Sequence, residues 1–240
     1  MENRSASRGL TTNQLKVIAI VAMVIDHCTS IFAPDDLHVV VYLLRTFGRF
    51  TAPIMCFLIA EGYYHTSNLK RYMGRLLVMA VLSHIPFALC FGFDPLRFWE
   101  STDVLFALLL GLVALAIYHN DKCSTLEKVL GIWICCLLAY SADWNYIAVL
   151  WILSFGVFRG YRRKQLLAYV AVAGLYLLQA LLYHNGIYSL LMRVGVFLVL
   201  PIIWSYNGRH GKKSRLIKWG FYWFYPIHLL LLYFIQLWLR

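Results

Sequence analysis

Apolar segments of about 15 to 22 residues recur along this chain, with short polar stretches between them. Segments of this length cross the hydrocarbon core of a bilayer as helices, because a helix rises about 1.5 Å per residue. The chain is 61% hydrophobic and 14% charged, whereas soluble domains are only about half apolar. We therefore expect an all-α fold, a polytopic transmembrane helical bundle.

About nine segments qualify as spans, within a range of about eight to ten. They cover residues 13–33, 46–66, 72–92, 102–119, 128–142, 145–159, 164–183, 187–206 and 219–239. An interfacial helix near Val39 is an alternative start for the second span, since Arg45 and Arg49 interrupt its apolar run. No stretch remains for a soluble domain, so residues 1–240 are expected to form a single integral membrane domain.

The distribution of Lys and Arg predicts the orientation of the bundle. If the N-terminus is inside, the inner loops and ends carry fifteen of these residues and the outer ones carry only Arg97 and Arg240. Cytoplasmic loops are enriched in positive charge, so this arrangement is strongly favoured. The net charge of +11 then reflects topology. Since no nucleic-acid-binding signature accompanies it, we expect a lipid bilayer as partner and no nucleic acid.

The six cysteines lie mostly within apolar runs and form no CxxC motif. No Cys and His cluster has the spacing of a zinc site. Small buried apolar residues are therefore the favoured interpretation, and no metal is expected.

Lys16 and His27 form the most informative pair in the first segment. Eleven residues are about three helical turns, so both side chains lie on nearly one face and about 16 Å apart along the axis. Lys16 can extend to a membrane surface, whereas Asp26 and His27 lie deep in the span. Ionisable groups at such depth are costly and indicate function. We expect a site that binds an anionic donor near Lys16 and uses its reactive end near His27.

Other ionisable residues inside the spans also fall into pairs. Arg45 and Arg49 are four residues apart and share a helix face, as do Glu61 and His65. Asp26, by contrast, points about 100° away from its neighbour in sequence and is not expected to orient His27. An alternative is that Asp26, Arg49 and Glu61 form buried ion pairs that only fix helix packing.

The last span carries Pro226, which is expected to kink it and to free a backbone carbonyl, with His228 just beyond. For His65 and His228 the alternative to a functional role is a histidine that bonds a neighbouring backbone group.

Five ordered blocks resemble the TraX family across nearly the whole chain: LKVIAIVAMVIDH, GRFTAPIMCFLIAEGYYHT, KRYMGRLLVMAVLSHIPF, LPIIWSYNGRHGK and FYWFYPIHLLLL. The family is named for conjugal transfer, and its best-known member acetylates the N-terminus of F-type pilin. The spacing of Lys16 and His27 is also similar to the R/K-x10-H motif of type-3 membrane acyltransferases, in which the His is regarded as catalytic and the donor is an acyl-CoA.

These resemblances imply a multi-pass acetyltransferase of the bacterial inner membrane. It would move an acetyl group from cytoplasmic acetyl-CoA to an unknown amine or hydroxyl acceptor, which is a peptide, a pilin-like protein or an envelope glycan or small molecule. His27 would act as general base or as covalent carrier. The residues expected at the site are His27, Asp26, Arg49 and Glu61 for catalysis, Lys16, Arg45, Arg75 and Arg163 for the donor, and His65 and His228 for the acceptor.

Two other classes of protein stay open at this point. Buried histidines and carboxylates also suit a small-solute or proton-coupled transporter, although no inverted repeat or pair of broken helices is visible. A non-catalytic assembly factor is disfavoured by the number and clustering of the buried charges.

Overall fold

The computed structural model describes residues 9–33, 39–183, 186–212 and 214–239. They form α1 (Thr12–Phe32), α2 (Val39–Gly48), α3 (Thr51–His65), α4 (Leu69–Phe91), α5 (Val104–Tyr118), α6 (Thr125–Leu138), a 3-10 turn (Ala139–Ser141), α7 (Asn145–Val157), α8 (Arg162–Leu182), α9 (Gly186–Arg193), α10 (Gly195–Leu198), α11 (Leu200–Trp204) and α12 (Arg215–Trp238). These ranges contain no β-strand, and only isolated bridges join Leu10 to Tyr206 and Thr102 to Ala142. The all-α prediction is confirmed.

Six helical stretches in the described residues are long and apolar enough to cross a bilayer. They are Thr12–Phe32, Val39–His65, Leu69–Phe91, Arg162–Leu182, Gly186–Trp204 and Trp219–Trp238. α5 and α7 are apolar but have only 15 and 13 residues, which is short for a span. The length and composition of these helices indicate a polytopic membrane protein. The predicted count of nine spans is not confirmed, and the orientation stays a prediction.

Local sequence sets several helix ends. Thr11 and Gln14 form a capping box at the start of α1, and Ser124 and Glu127 form another at the start of α6. In each box, the cap hydroxyl accepts a backbone N–H that the helix leaves unpaired. Gly92 ends α4 with a φ of +75°, a left-handed conformation that glycine adopts without strain.

The largest cluster of buried apolar side chains draws on α1, α3, α4, α5, α7, α8 and α12. α5 and α7 approach closely because Gly111 faces Ile152 and Gly156 faces Leu115, with no room for a Cβ at either glycine. Small residues at helix contacts allow such an approach in membranes. Large apolar side chains outside this core, including Leu77, Val78, Val81, Leu82 and Ile85 on one side of α4, are exposed, as expected of a surface that meets lipid.

A break between two helices and a proline within a third lie beside the polar residues. α2 ends at Gly48 and α3 begins at Thr51, so the second predicted span is two helices joined at Arg49. A Cβ at Gly48 would lie 2.5 Å from the Asp26 Cβ, which means that glycine is what lets α2 pack against the Asp26 side chain. α12 continues through Pro226, whose missing N–H leaves the Tyr222 carbonyl without its helical partner.

Candidate functional site

A central cavity of about 400 Å³ lies among α1, α3, α4, α5 and α12. The side chains that line it become polar at both ends and apolar between them. One end is lined by Thr12, Lys16, Glu61, His65, Thr66, Arg75 and His210, and the other by Asp26, His27, Gly48, Asp143, Trp144 and Tyr225. Lys16 and His27 therefore share one cavity, as their spacing on α1 predicts.

The deep end of the central cavity is organised by a pair of histidines. His27 Nδ1 lies 2.8 Å from His228 Nε2, and His228 Nδ1 lies 2.9 Å from the Phe224 carbonyl oxygen. The two rings are tilted by only 7°, with centroids 5.0 Å apart. Since the facing nitrogens are much closer than the centroids, the rings meet edge to edge, in the geometry of a hydrogen bond.

This chain of contacts determines which nitrogen carries each proton. No carboxylate in the described residues forms an ion pair with either ring, so both are taken as neutral at this depth. A carbonyl oxygen can only accept a hydrogen bond. His228 Nδ1 therefore carries a proton and donates a hydrogen bond to the Phe224 carbonyl oxygen. His228 Nε2 then accepts from His27 Nδ1–H. His27 Nε2 is left with a lone pair, as a general base or nucleophile requires.

Asp26 turns away from His27 to an arginine. Arg49 Nη2 donates to Asp26 Oδ1 at 3.1 Å, and both side chains are largely buried, with exposed fractions of 16% and 18%. The Arg49 guanidinium also lies 5.4 Å from the centroid of a Trp144 ring. This pairing agrees with the prediction that Asp26 does not orient His27 directly. It also agrees with the alternative in which Asp26 and Arg49 form a buried ion pair. Arg49 itself does not line the central cavity.

Asp143 is a residue of the deep end that the sequence analysis missed. It lies in the short connection before α7, lines the central cavity and has an exposed side chain. Among the described residues no cation lies within ion-pair distance of its carboxylate. In the sequence it falls between the predicted spans 128–142 and 145–159, and no signal there distinguishes it from an ordinary loop residue.

The opposite end of the central cavity is basic and aromatic. Lys16 Nζ lies 4.8 Å from the centroid of the Phe221 ring. Arg75 Nε donates to the Tyr222 hydroxyl at 3.4 Å, and its guanidinium lies 5.8 Å from the Tyr72 ring centroid. Tyr72 of α4 and Phe221 and Tyr222 of α12 thus form an aromatic wall beside Lys16 and Arg75, two of the four cations that were expected to bind the donor.

The chain matches the family model described as TraX protein over residues 11–236. This chain belongs to the TraX family. A curated relative, described as "Probable fimbrial assembly protein FimC, serogroup H1" of Dichelobacter nodosus, is 36% identical over 231 residues, which covers 91% of this chain and 93% of the relative. No solved structure is significantly similar. The resemblance inferred from the five sequence blocks is confirmed.

In this TraX-family chain, Glu61 bonds an arginine that the sequence analysis did not place at the site. Arg159 Nε donates to Glu61 Oε1 at 2.7 Å, and Arg159 Nη2 donates to Oε2 at 3.2 Å. The Glu61 carboxylate raises the pKa of the Arg159 guanidinium. His65 Nε2 lies 3.4 Å from Glu61 Oε2, so these two residues share a face as predicted, and the His65 ring also meets that of His210, with centroids 4.8 Å apart.

Besides Arg49, three predicted site residues of the TraX-family chain lie outside the central cavity. His228, predicted to bind the acceptor, bonds His27 Nδ1 instead and is not among the lining residues. Arg45 is half-buried on α2, one turn before Arg49, and its Nε has no hydrogen-bond partner in the described residues. Arg163 is exposed near the start of α8, because that helix begins beyond the Arg159 end of α7. The sequence analysis grouped Arg45 and Arg163 with Lys16 and Arg75 as donor-binding residues, but in the structure only Lys16 and Arg75 line the central cavity.

No group of three or more His, Cys, Asp or Glu side chains that could hold a metal ion occurs within the described ranges. The cysteines described there are all free thiols; Cys56, Cys90 and Cys135 are buried, as expected of small apolar residues, whereas Cys28, Cys123 and Cys136 are partly exposed.

Proposed function

We propose that this chain is a membrane-embedded acetyltransferase that moves an acetyl group from cytoplasmic acetyl-CoA to an acceptor amine or hydroxyl. The observation that carries the proposal is the lone pair on His27 Nε2 in a cavity whose other end presents Lys16 and Arg75. In acetyl-CoA the anionic phosphates lie far from the thioester. The cations at one end of the cavity suit the phosphates, and the base at the other end suits the thioester. The resemblance to type-3 membrane acyltransferases supports the same assignment.

In this proposal the donor enters from the cytoplasm, with the N-terminus of the chain inside the bacterial inner membrane. Lys16 and Arg75 bind its phosphates, and the aromatic wall of Tyr72, Phe221 and Tyr222 packs beside them. The pantetheine arm follows α1 between Lys16 and His27, a distance of about 16 Å along the helix axis. This route runs past the apolar middle of the cavity, where Ile20 and Met23 line the wall.

His27 removes the proton from the attacking group of the acceptor. The freed lone pair of the acceptor adds to the thioester carbon, and the carbon–sulfur bond then breaks. The departing thiolate takes the proton back from His27, so coenzyme A leaves as a thiol and the histidine is regenerated. An amine that enters as ammonium releases its second proton to water. The covalent alternative, in which His27 Nε2 carries the acetyl group, uses the same lone pair.

The acceptor that we favour is an amine. Asp143 lines the deep end of the central cavity, and we propose that its carboxylate holds the ammonium of the acceptor, since Asp26 forms an ion pair with Arg49. The Dichelobacter nodosus relative is described as a probable fimbrial assembly protein, and the best-known TraX member acetylates pilin. We therefore propose the amino terminus of a fimbrial or pilus subunit as the acceptor class, with an envelope glycan or small molecule as the alternative.

The deciding experiment measures thiol release from acetyl-CoA by the detergent-purified protein, with and without a cell-envelope extract. The wild-type protein should release thiol faster with extract, and His27→Ala should reduce the extract-dependent rate by about 10² to 10⁴. His119→Ala is the control, because His119 does not line the central cavity. A folded His27→Ala protein with wild-type turnover would exclude the His27 assignment.

The same samples distinguish the other classes of protein. A small-solute or proton-coupled transporter should move solute or protons in liposomes that contain no acetyl-CoA. A non-catalytic assembly factor should neither bind nor consume acetyl-CoA, and it should support fibre assembly in cells with His27→Ala as well as with the wild-type chain. Mass spectrometry of an acetylated extract would identify the acceptor.

A further inference from the structure

A second cavity, of about 630 Å³, lies between α3, the end of α7, the start of α8 and α11. The deep-end residues of the central cavity, among them His27 and Asp143, do not line it. Glu61 is the lining residue that both cavities share. The second cavity is therefore a separate site that the proposed transfer chemistry does not use.

Positive charge is concentrated at one end of the second cavity. Arg159 and Arg162 both line it. Arg159 uses its Nε and Nη2 groups to bind Glu61, and Arg162 is exposed, with no ion pair or hydrogen bond of its side chain in the described residues. The lining set has one carboxylate, Glu61, against two guanidinium groups, so the cavity keeps a net positive charge.

The start of α8 adds to this charge. α8 has 21 residues, and its N-cap residue, Tyr161, makes no side-chain hydrogen bond to the helix. The first backbone N–H groups of a helix have no partner within it and carry a partial positive charge, so they attract anions. Gly160, with a φ of +86°, brings the chain from Arg159 into α8 along the cavity wall. Two arginines and a helix start thus face one space.

Part of the wall of the second cavity is apolar and aromatic. This part includes Phe57, Phe155, Tyr169, Leu200 and Ile203. A small inorganic anion would leave this wall unused, whereas a ligand with an apolar portion attached to its anionic group would cover it. Guanidinium groups bind phosphate in a bidentate manner and are more suited to it than lysine.

We propose that the second cavity binds the phosphate group of an amphiphilic ligand, held by Arg162, Arg159 and the start of α8. Arg162 is the main contact, since Arg159 is shared with Glu61. The phosphate can come from the headgroup of a phospholipid or from a nucleotide-type molecule such as coenzyme A. The proposal does not depend on the acetyltransferase activity, because binding is measured without turnover.

The experiment uses native mass spectrometry of the full-length protein in detergent, titrated with short-chain phosphatidylglycerol, with coenzyme A, or with diacylglycerol, which lacks the phosphate. The variants are Arg162→Gln and Arg163→Gln. Both remove one positive charge from adjacent positions of α8, but only Arg162 lines the cavity. Both positions are exposed, and size-exclusion chromatography of each variant verifies that it is folded.

We expect Arg162→Gln to weaken phosphatidylglycerol binding at least tenfold and Arg163→Gln to weaken it less than twofold, with no specific binding of diacylglycerol. If coenzyme A alone shows this dependence on Arg162, the phosphate site stands and its ligand is the nucleotide. Equal weakening by both variants would mean that only general electrostatic attraction operates. That result, or binding of neither phosphate probe, would overturn the proposal.

Discussion

His27 Nδ1 and His228 Nε2 lie 2.8 Å apart although 201 residues separate them in the chain. The contact joins α1 to α12 and, through the bond of His228 to the Phe224 carbonyl, fixes the proton of His27 on Nδ1. A residue that does not line the cavity thereby fixes the tautomer of His27, to whose Nε2 we assign the proton transfer.

This relationship predicts how substitutions of His228 affect turnover. His228→Leu removes the acceptor for His27 Nδ1–H, so the His27 ring loses both its orientation and its preferred tautomer. We expect kcat to fall about 100-fold, with little change in the KM for acetyl-CoA because we place the phosphates of the donor at the other end of the cavity. His228→Gln should keep at least a tenth of the activity, since its amide oxygen can accept the same hydrogen bond. Steady-state thiol release measures both constants, and equal activity of the two variants would contradict a tautomer-fixing role.

Lys16 is expected to act on the affinity for the donor. Lys16→Gln removes a cation from the end of the central cavity where we place the phosphates, so the KM for acetyl-CoA should rise about tenfold while kcat changes little. Lys70→Gln is the control, because Lys70 is exposed on α4 and does not line the cavity. Both variants lose the same charge. If Lys70→Gln raises the KM as much as Lys16→Gln does, the donor is attracted by the overall charge of that face.

The contact between Gly48 and Asp26 makes a prediction about stability. Alanine at position 48 would bring a Cβ within 2.6 Å of Asp26 Oδ1, and this should push α2 from α1 and weaken the pair of Asp26 with Arg49. We expect a loss of about 1–3 kcal/mol, seen as a lower thermal midpoint in detergent.

Gly74→Ala tests whether this loss depends on the site. Gly74 is also helical, but a Cβ there would meet nothing within 4 Å. Its replacement by alanine should leave the midpoint unchanged or raise it slightly, because alanine favours the helix. A similar decrease for both variants would show that glycine at position 48 is not needed for close packing.

Glu61 and Arg159 should respond unequally to substitution. The Glu61 side chain is 11% exposed and that of Arg159 is 39% exposed. Arg159→Gln leaves a buried carboxylate with only His65 beside it, at a cost of about 1–3 kcal/mol, whereas Glu61→Gln leaves a cation that can reach solvent and should cost about 1 kcal/mol or less. The double variant should be more stable than Arg159→Gln alone. Thermal midpoints of the three proteins test this order. If the double variant loses the sum of the two single losses, the predicted coupling between Glu61 and Arg159 is excluded.

The pattern of residues determined a good deal about this protein. The length of the apolar segments, their regular recurrence and the five ordered blocks were enough to predict a helical membrane protein of the TraX family. The spacing of Lys16 and His27 also placed them correctly on one side of α1, because the period of a helix relates sequence distance directly to direction.

Tertiary structure alone decided which elements meet. Nothing in the sequence indicates that His228 bonds His27, that Arg159 rather than Arg49 binds Glu61, or that the loop residue Asp143 turns into the cavity. It also separated Arg163 from Lys16, although both belong to basic ends of apolar segments. The physical reason is that periodicity acts within one helix, whereas contacts between helices depend on packing, on glycines such as Gly48 and on where each helix ends.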